Sequence, residues 1–236
     1  MRVQGPDAAD LLQRLASNDV LAAETCEALL LTPRGRVIAP LLVWRRGTDD
    51  FLLLTEPELG EVVVAHLRRM RIASRCEIEP EEHTSAIVFG AADGIPNRDY
   101  GVPAFELLDA PVDAEPADEE LERLRILART PRWGREVDEG ILPAEAGLDE
   151  RAISFTKGCY PGQEPLARLH NRGHVNRTLR VLAVDGEAKQ ADEVRFGDAA
   201  VGRVTSAVPG LALAYVRVEV PDDAELEVGG RPARLH

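Results

Sequence analysis

Apolar residues in the first half of the chain recur with two spacings, one typical of helices and one of strands. Residues 7–16 place Leu11, Leu12 and Leu15 on one helical face, and residues 59–70 repeat apolar side chains at the same spacing. Short apolar runs bounded by turn residues predict strands at 28–31, 37–43, 51–54, 76–79 and 86–89. Strands interrupted by so few helices predict an antiparallel α+β layer rather than a doubly wound parallel sheet. No strand is predicted ahead of Gly5-Pro6-Asp7.

The second half changes texture near Asn176. Residues 111–120 predict a solvated loop, 118–128 a helix, and 131–152 an extended crossing segment without a clear period. Short β-runs separated by turns then follow, at 179–184, 199–204, 211–220 and 226–235, which predicts a small antiparallel barrel. We therefore expect an N-terminal α+β part at 1–82, a middle α+β part at 83–176, and a C-terminal β-barrel at 177–236.

Composition and charge narrow the class of protein. Hydrophobic residues make up 44% of the 236 residues, which is enough for a proper core. A formal charge of −13 argues against non-specific binding to nucleic acid or acidic membranes. The apolar runs are far shorter than the roughly 20 residues of a membrane span. Three cysteines do not make a disulfide framework. These features, and an N-terminus without a signal-peptide pattern, predict a cytoplasmic protein that binds neither membranes nor nucleic acid directly.

One stretch without apolar periodicity concentrates reactive side chains, namely Lys157-Gly158-Cys159-Tyr160-Pro161-Gly162-Gln163-Glu164, here called the 157–164 motif. Lysine occurs elsewhere only at Lys189. Pro161 suits the first position of a helix, which would place Cys159 just before a helix start, where free N–H groups favour a thiolate. Lys157 would add to this effect if its ammonium points the same way. The motif therefore predicts an exposed, reactive cysteine of low pKa; the plainer interpretation is a small thiol that fills a gap beside a turn.

Other candidate residues are weaker. His170 and His174 could join Cys159 in a metal site, but Asn171 and Gly173 argue against the helix that this spacing needs, so we expect surface histidines and no permanently bound metal. A nucleophile–base pair of Cys159 and His170, as in a cysteine hydrolase, is a further hypothesis. Two thiols beside or within strands, Cys26 and Cys76, are expected to be buried or inert.

The pattern Lys-Gly-Cys-Tyr-x-Gly-Gln-Glu resembles the signature of the YgfZ-type folate-binding proteins, relatives of the glycine-cleavage T-protein, an aminomethyltransferase. Further stretches support the resemblance: Ser17-Asn18-Asp19-Val20, Thr32-Pro33-Arg34-Gly35-Arg36-Val37, Leu142-Pro143 with Glu145-Ala146-Gly147-Leu148, Val201-Gly202-Arg203-Val204-Thr205-Ser206-Ala207, and Leu211-Ala212-Leu213-Ala214-Tyr215-Val216-Arg217. It implies a GcvT-like α+β fold, with antiparallel subdomains around a central channel and a small C-terminal β-barrel.

The same resemblance implies a function. A YgfZ-like protein binds tetrahydrofolate or a related folate in the channel and assists assembly or repair of iron–sulfur clusters, including those of enzymes that modify tRNA. Its partners would be iron–sulfur client or assembly proteins. The implied site residues fall into three groups: Cys159 and Lys157 as reactive groups; Tyr160, Gly162, Gln163, Glu164 and Arg168 as motif or ligand-binding residues; Arg125 and Trp133 as folate contacts.

Two departures bear on the alternative, a folate-dependent aminomethyl transferase. Residues 125–131 resemble the family's Arg-Ile-Glu-Ala-Gly-x-Pro, but Leu127 replaces the Glu that helps hold the pterin ring in the T-protein, and Arg129 replaces the Gly. The T-protein's catalytic Asp has no clear counterpart in Thr55-Glu56-Pro57-Glu58. Both departures favour the accessory role over an enzymatic one.

Overall fold

The computed structural model describes residues 1–90, 93–111 and 117–236 of the chain. Its strands, in chain order β1 to β14, are Arg2–Gln4, Thr25–Leu31, Val37–Arg45, Asp50–Leu54, Glu77–Glu79, Ser85–Phe89, Ile95–Asn97, Ala104–Leu108, Arg177–Val184, Glu193–Phe196, Ala199–Val208, Leu211–Arg217, Glu225–Val228 and Arg231–Leu235. Its α-helices, α1 to α5, are Ala8–Leu15, Gly60–Met70, Asp118–Leu127, Asp149–Ala152 and Gln163–Arg172. None of the helices in the described part is long and apolar enough to cross a membrane.

These elements form two compact units. The first contains Met1–Thr84, Asp138–Pro143 and Leu148–His174, and therefore the whole 157–164 motif. The second contains Ser85–Val137, Ala144–Gly147 and Val175–His236. The expected division into parts at 1–82, 83–176 and 177–236 stays a prediction, as does the central channel.

The first unit is built on an antiparallel sheet with the strand order β2-β3-β4-β1-β5. Strands β2 and β3 form the predicted hairpin across Thr32–Gly35. The inner face of α1 consists of Ala8, Leu11, Leu12 and Leu15, all buried, as its 3.6-residue period predicts. Helix α2 buries Val63, Val64 and Leu67 in the same way. The antiparallel α+β prediction is confirmed for this unit.

The sequence pattern did not predict the N-terminal strand. Strand β1 lies between β4 and β5 and pairs with both, so it is an interior strand of the sheet. It has only three residues, of which only Val3 is fully buried. A single buried position cannot generate a period, which is why the pattern of apolar residues did not predict it.

The second unit contains a three-stranded sheet and a barrel. The sheet has the order β6-β8-β7; β7 and β8 were not predicted, since Pro96 interrupts the former and the exposures along β8 do not alternate. Residues 112–116 of the predicted solvated loop lie outside the described residues.

The barrel prediction is confirmed. Six strands close in the order β10-β11-β12-β9-β14-β13 around an apolar interior. The predicted strand at 226–235 is in fact the hairpin β13–β14, which turns at Gly229-Gly230. Strand β10 was missed because only Val194 among its four residues is buried.

The C-terminus of α3 explains one departure from the family pattern. Arg129 has φ +55, the N–H of Arg129 donates to the carbonyl of Ile126, and the N–H of Thr130 donates to the carbonyl of Arg125. This pair of bonds is a Schellman motif, whose left-handed position is normally occupied by glycine. The family's glycine at this position thus suits the left-handed backbone conformation. Arg129 adopts the same conformation at the steric cost of its Cβ.

We expect Arg129→Gly to stabilise the protein. Removal of the Cβ from a left-handed residue raises the free energy of unfolding by about 1 kcal/mol, which urea denaturation measures directly. Arg129→Ala is the matched control, because it removes the same exposed side chain but keeps the Cβ. Equal stability of the two variants would contradict this interpretation.

Candidate functional site

The 157–164 motif begins in a loop and ends in the first turn of α5. Its Pro161-Gly162 pair forms the centre of a β-turn, in which the N–H of Gln163 donates to the carbonyl of Tyr160 at 3.3 Å. Gly162 has φ 83 and ψ −1, the values of the third residue of a type II turn, and proline is common just before it. The prediction that Pro161 opens the helix was therefore wrong: α5 begins at Gln163 with Gly162 as its N-cap.

Gly162 is fixed against a second turn of the first unit. A Cβ at Gly162 would lie 2.6 Å from the carbonyl oxygen of Thr32 and 3.0 Å from the Cα of Gly35. Gly35, also left-handed with φ 74, faces Pro165 and Leu166 of α5 at similarly short range. Residues 32–37 and the 157–164 motif, which are far apart in the sequence, thus come into backbone contact at Gly162. Only glycine permits such a close approach.

Lys157 points away from solvent, toward the end of α1. Its Nζ donates three hydrogen bonds to backbone carbonyls, those of Gln13 at 2.6 Å, Ala16 at 2.8 Å and Asn18 at 2.9 Å. The carbonyls of Gln13 and Ala16 lie at the end of α1, where a helix leaves acceptors unpaired and favours a cation, and that of Asn18 lies just beyond it. Burial lowers the pKa of Lys157 to about 8, and the three acceptors favour the charged form. At neutral pH the group is therefore an ammonium with all three donors in use.

Ser154 and Tyr160 hold the rest of the loop. The N–H of Ser154 donates to the carbonyl of Ser17 at 2.9 Å, and the Oγ of Ser154 accepts from the N–H of Lys157 at 3.1 Å. Tyr160 is buried, its hydroxyl donates to the carbonyl of Ser154 at 3.2 Å, and its ring lies 5.4 Å from the Nζ of Lys157. Burial raises the pKa of Tyr160 to about 12, so the phenol remains neutral.

Cys159 lies between these anchored residues with its side chain exposed. The prediction of an exposed thiol is confirmed; its reactivity and low pKa stay predictions. Burial raises the pKa of the other two thiols, that of Cys26 to about 11. Cys76 is buried as expected, whereas Cys26 is only partly buried. The three cysteines therefore differ sharply in access, and burial disfavours the thiolate of two of them.

The remaining motif residues belong to α5. Gln163 is partly buried at the first position of the helix. Glu164 accepts a hydrogen bond from Arg168 at 3.1 Å, but both side chains are largely exposed, at 86% and 75%. An exposed pair of this kind contributes little to stability, so both side chains are accessible to a ligand or a partner.

The two histidines are exposed, as expected, and no helix carries both of them, because α5 ends at Arg172 and His174 lies beyond it. Helix α5 runs through Arg172, so Asn171 lies within the helix, and the N–H of Gly173 closes it on the carbonyl of Leu169. His170 stacks its ring on Phe155 with centroids 4.1 Å apart. Among the described residues no group of three or more metal-ligating side chains comes together.

Arg125 and Trp133, the predicted folate contacts, lie in the second unit. The Arg125 guanidinium is 3% exposed and makes a two-bond ion pair with Glu122 at 2.9 and 2.7 Å. It also bonds Glu136 at 3.1 Å. Trp133 is partly buried, and Leu127 is exposed. The structure thus commits Arg125 to ion pairs with the partly buried Glu122 and the fully buried Glu136, and the roles of Arg125 and Trp133 as folate contacts stay predictions.

Glu136 is a structural residue that sequence reasoning missed. Its fully buried carboxylate accepts from the hydroxyl of Ser206 at 2.7 Å and from the N–H of Arg132 at 3.0 Å, and its carbonyl accepts from the hydroxyl of Tyr215 at 2.7 Å. These bonds attach the segment after α3 to strands β11 and β12 of the barrel. No local pattern marks a buried carboxylate in a loop, because its barrel partners lie 70 and 79 residues away.

Ser17 was likewise recognised only as part of a resembling stretch. Its buried hydroxyl donates to the carbonyl of Ala152 at 2.5 Å and accepts from the N–H of Leu29 at 2.8 Å. The side chain of Asn18 donates to the carbonyls of Glu27 and Arg151. Together they join the end of α1 to β2 and to α4, from which the motif loop starts.

The architecture described above matches known proteins. Over 98% of its length the chain is similar to a crystal structure of glycine cleavage system aminomethyltransferase T from Bartonella henselae, with a TM-score of 0.80, 18% identity and 80% of that chain covered. The chain has the aminomethyltransferase T fold. The GcvT-like α+β prediction is confirmed by this match. Residues 176–236 of the chain also match the family model described as CAF17, C-terminal beta-barrel domain.

Two curated relatives carry different descriptions. An iron-sulfur cluster assembly factor IBA57 homolog, mitochondrial, from Pyricularia oryzae is 24% identical over 98% of this chain and 72% of its own length. An aminomethyltransferase from Shouchella clausii is 25% identical over 99% of this chain and 80% of its own length. Proteins that are similar over almost the whole of this chain therefore carry more than one described role.

The contact between the two turns of the first unit predicts unequal effects of two alanines. Gly162→Ala should lower the free energy of unfolding by about 3 kcal/mol, from left-handed strain and a clash with backbone. Gly158→Ala, in the same motif, is the control, because Gly158 has no left-handed φ and a Cβ added there would have no heavy atom within 4 Å. It should change stability by less than about 0.5 kcal/mol. Similar losses in urea denaturation would contradict the described packing.

The thiols should differ in their rates of alkylation. At pH 7.5 we expect iodoacetamide to modify Cys159 at least about tenfold faster than Cys26, because Cys159 is exposed and the burial of Cys26 disfavours its thiolate. Peptide mapping by mass spectrometry after timed quenching measures the three rates. Cys159→Ser should remove the fast phase, and a fast phase that maps to Cys26 would show that the described exposures are wrong.

Proposed function

We propose that this chain is an accessory protein for the assembly or repair of iron–sulfur clusters, and that it acts through the thiol of Cys159. The observation that carries the proposal is an exposed thiol on a loop whose neighbours, Lys157 and Tyr160, are both anchored. An exposed thiol on an ordered loop suits a transient ligand of a cluster that passes to or from another protein. The description of the Pyricularia oryzae relative as a cluster assembly factor points to the same role.

One thiol sets a requirement for partners. Iron–sulfur clusters are commonly held by four thiolates, and the other two cysteines are at least partly buried with raised pKa. Additional ligands for a cluster bound at Cys159 must therefore come from an assembly or client protein, or from a second copy of the chain. The proposal includes a cytoplasmic location, which the sequence features predict, and an indirect effect on tRNA-modifying enzymes, which the family resemblance implies.

A folate is the proposed small-molecule ligand, on the strength of the shared fold alone. Two residues do not support it, since Arg125 is buried in ion pairs and Leu127 cannot accept a hydrogen bond through its side chain. No step of the proposed role passes through the folate.

The alternative function is a folate-dependent aminomethyl transferase. The fold match and the Shouchella clausii relative favour it. Thr55, in the stretch where the T-protein's catalytic carboxylate has no counterpart, uses its hydroxyl to bond the carbonyl of Pro40 at 2.7 Å. That side chain has a structural contact rather than a catalytic one, so the accessory role is the better supported of the two.

We expect Cys159→Ser to abolish function while the fold remains intact. In a bacterial strain that lacks its own protein of this type, the wild-type chain should restore the activity of an iron–sulfur enzyme and Cys159→Ser should not. Cys76→Ala is the matched control, because it removes a buried thiol and should restore that activity.

Two outcomes would contradict the proposal. Full rescue by Cys159→Ser would exclude the thiol from the function. Turnover of a methylene-folate donor by the purified chain, unaffected by Cys159→Ser, would instead establish the transferase alternative. Circular dichroism of the variant shows that a loss of rescue does not come from unfolding.

A further inference from the structure

We propose that Lys157 is a positioning residue, whose ammonium is held on the backbone at the end of α1 so that the exposed thiol of Cys159 has a fixed place. The proposal deepens the proposed function, because it concerns the same thiol. It differs from the role that the motif implies for Lys157, which is that of a reactive group.

The hydrogen bonds of Lys157 leave it no reactive lone pair. An ammonium has three donors and no acceptor, and the three carbonyls of Gln13, Ala16 and Asn18, at 2.6 to 2.9 Å, take one donor each. A group held in this way neither attacks a substrate nor accepts a proton at neutral pH. Its charge is used instead against the negative end of a helix, where a cation is favoured.

The position of the ammonium determines how freely the loop moves. Cys159 is two residues after Lys157 and one before Tyr160, and consecutive Cα atoms are about 3.8 Å apart. Tyr160 is buried and cannot leave without exposing its ring. On the other side, the backbone N–H of Lys157 is held by the Oγ of Ser154, and its side chain is held by the three carbonyls. Loss of the side chain leaves only the bond to Ser154, so we expect the exposed residues Gly158 and Cys159 to move more freely.

The site also selects the chemistry of its occupant. Three carbonyl oxygens that converge on one point fit a compact ammonium, whereas a guanidinium is planar and spreads its donors over a fork. A neutral side chain would leave three carbonyls without their donors. Without the lysine, the site should accept a small alkylammonium ion, since truncation of lysine to alanine removes the equivalent of one propylammonium.

A spin label on Cys159 tests the proposal in the full chain. Cys26→Ser and Cys76→Ala confine a nitroxide to Cys159, and its electron paramagnetic resonance line shape reports nanosecond motion of the loop. We expect an immobilised component that Lys157→Ala abolishes, together with a fall of about 5 °C in melting temperature from the lost charged hydrogen bonds. Propylammonium should restore both, and n-propanol, of similar size but neutral, should restore neither. Lys189→Ala, which removes the only other lysine, is the matched control.

Three outcomes would overturn the proposal. An immobilised component that survives Lys157→Ala would show that Lys157 acts on global stability alone. Equal restoration of the immobilised component by propanol would show that the aliphatic part of the Lys157 side chain matters and its charge does not. Lys157→Met keeps most of the apolar stem and serves if Lys157→Ala does not fold; a line shape like that of the parent would again exclude the positioning role. The spin-label experiment and the rescue experiment can fail separately. Full rescue by Cys159→Ser would refute the role in cluster assembly, but it would not alter the line shapes measured with and without the Lys157 side chain.

Discussion

Between the turn at Thr32–Gly35 and the turn at Tyr160–Gln163 there is room for hydrogen atoms and for no larger group. A Cβ on Gly162 would come within 2.6 Å of a carbonyl oxygen, well inside van der Waals contact. The start of α5 therefore contacts the β2–β3 hairpin through backbone at Gly162 and through the side chains of Pro165 and Leu166 at Gly35. Since the loop that carries Cys159 ends in this turn, the location of the thiol depends on two glycines that are far apart in the sequence, at 35 and 162.

Buried charge has the same organisation in both units. In the first, the Lys157 ammonium has three carbonyl acceptors; in the second, the Glu136 carboxylate accepts from Ser206, Arg132 and Arg125. A buried charge is costly unless each donor or acceptor finds a partner. A buried charge whose hydrogen bonds are all made favours one arrangement of the segments that supply its partners. Each charge thus fixes a stretch of irregular backbone that has no regular secondary structure to hold it.

Sequence periodicity predicted those parts of the fold that local pattern determines. Helix α1 and the β2–β3 hairpin follow from residues that are close in sequence, because the buried face of α1 repeats with the period of a helix and Thr32–Gly35 carries turn residues. Strand β1 could not be found in this way, since Val3 owes its burial to strands β4 and β5. Pro161 was compatible with a helix start or a turn, and the packing of Gly162 on Thr32 decided for the turn.

The candidate site likewise has features that local sequence predicts and features that depend on distant residues. Exposure of Cys159 follows from local features, because the surrounding residues have no apolar period and include two glycines. The orientation of Lys157 does not, since its three acceptors lie 139 to 144 residues earlier. Sequence reasoning left the direction of the ammonium open, with a thiolate favoured if it points toward Cys159, whereas the structure directs it to α1. Most of the polar or special residues of the 157–164 motif therefore have structural roles. Gly162, Lys157 and Tyr160 hold the backbone, and Cys159 faces solvent.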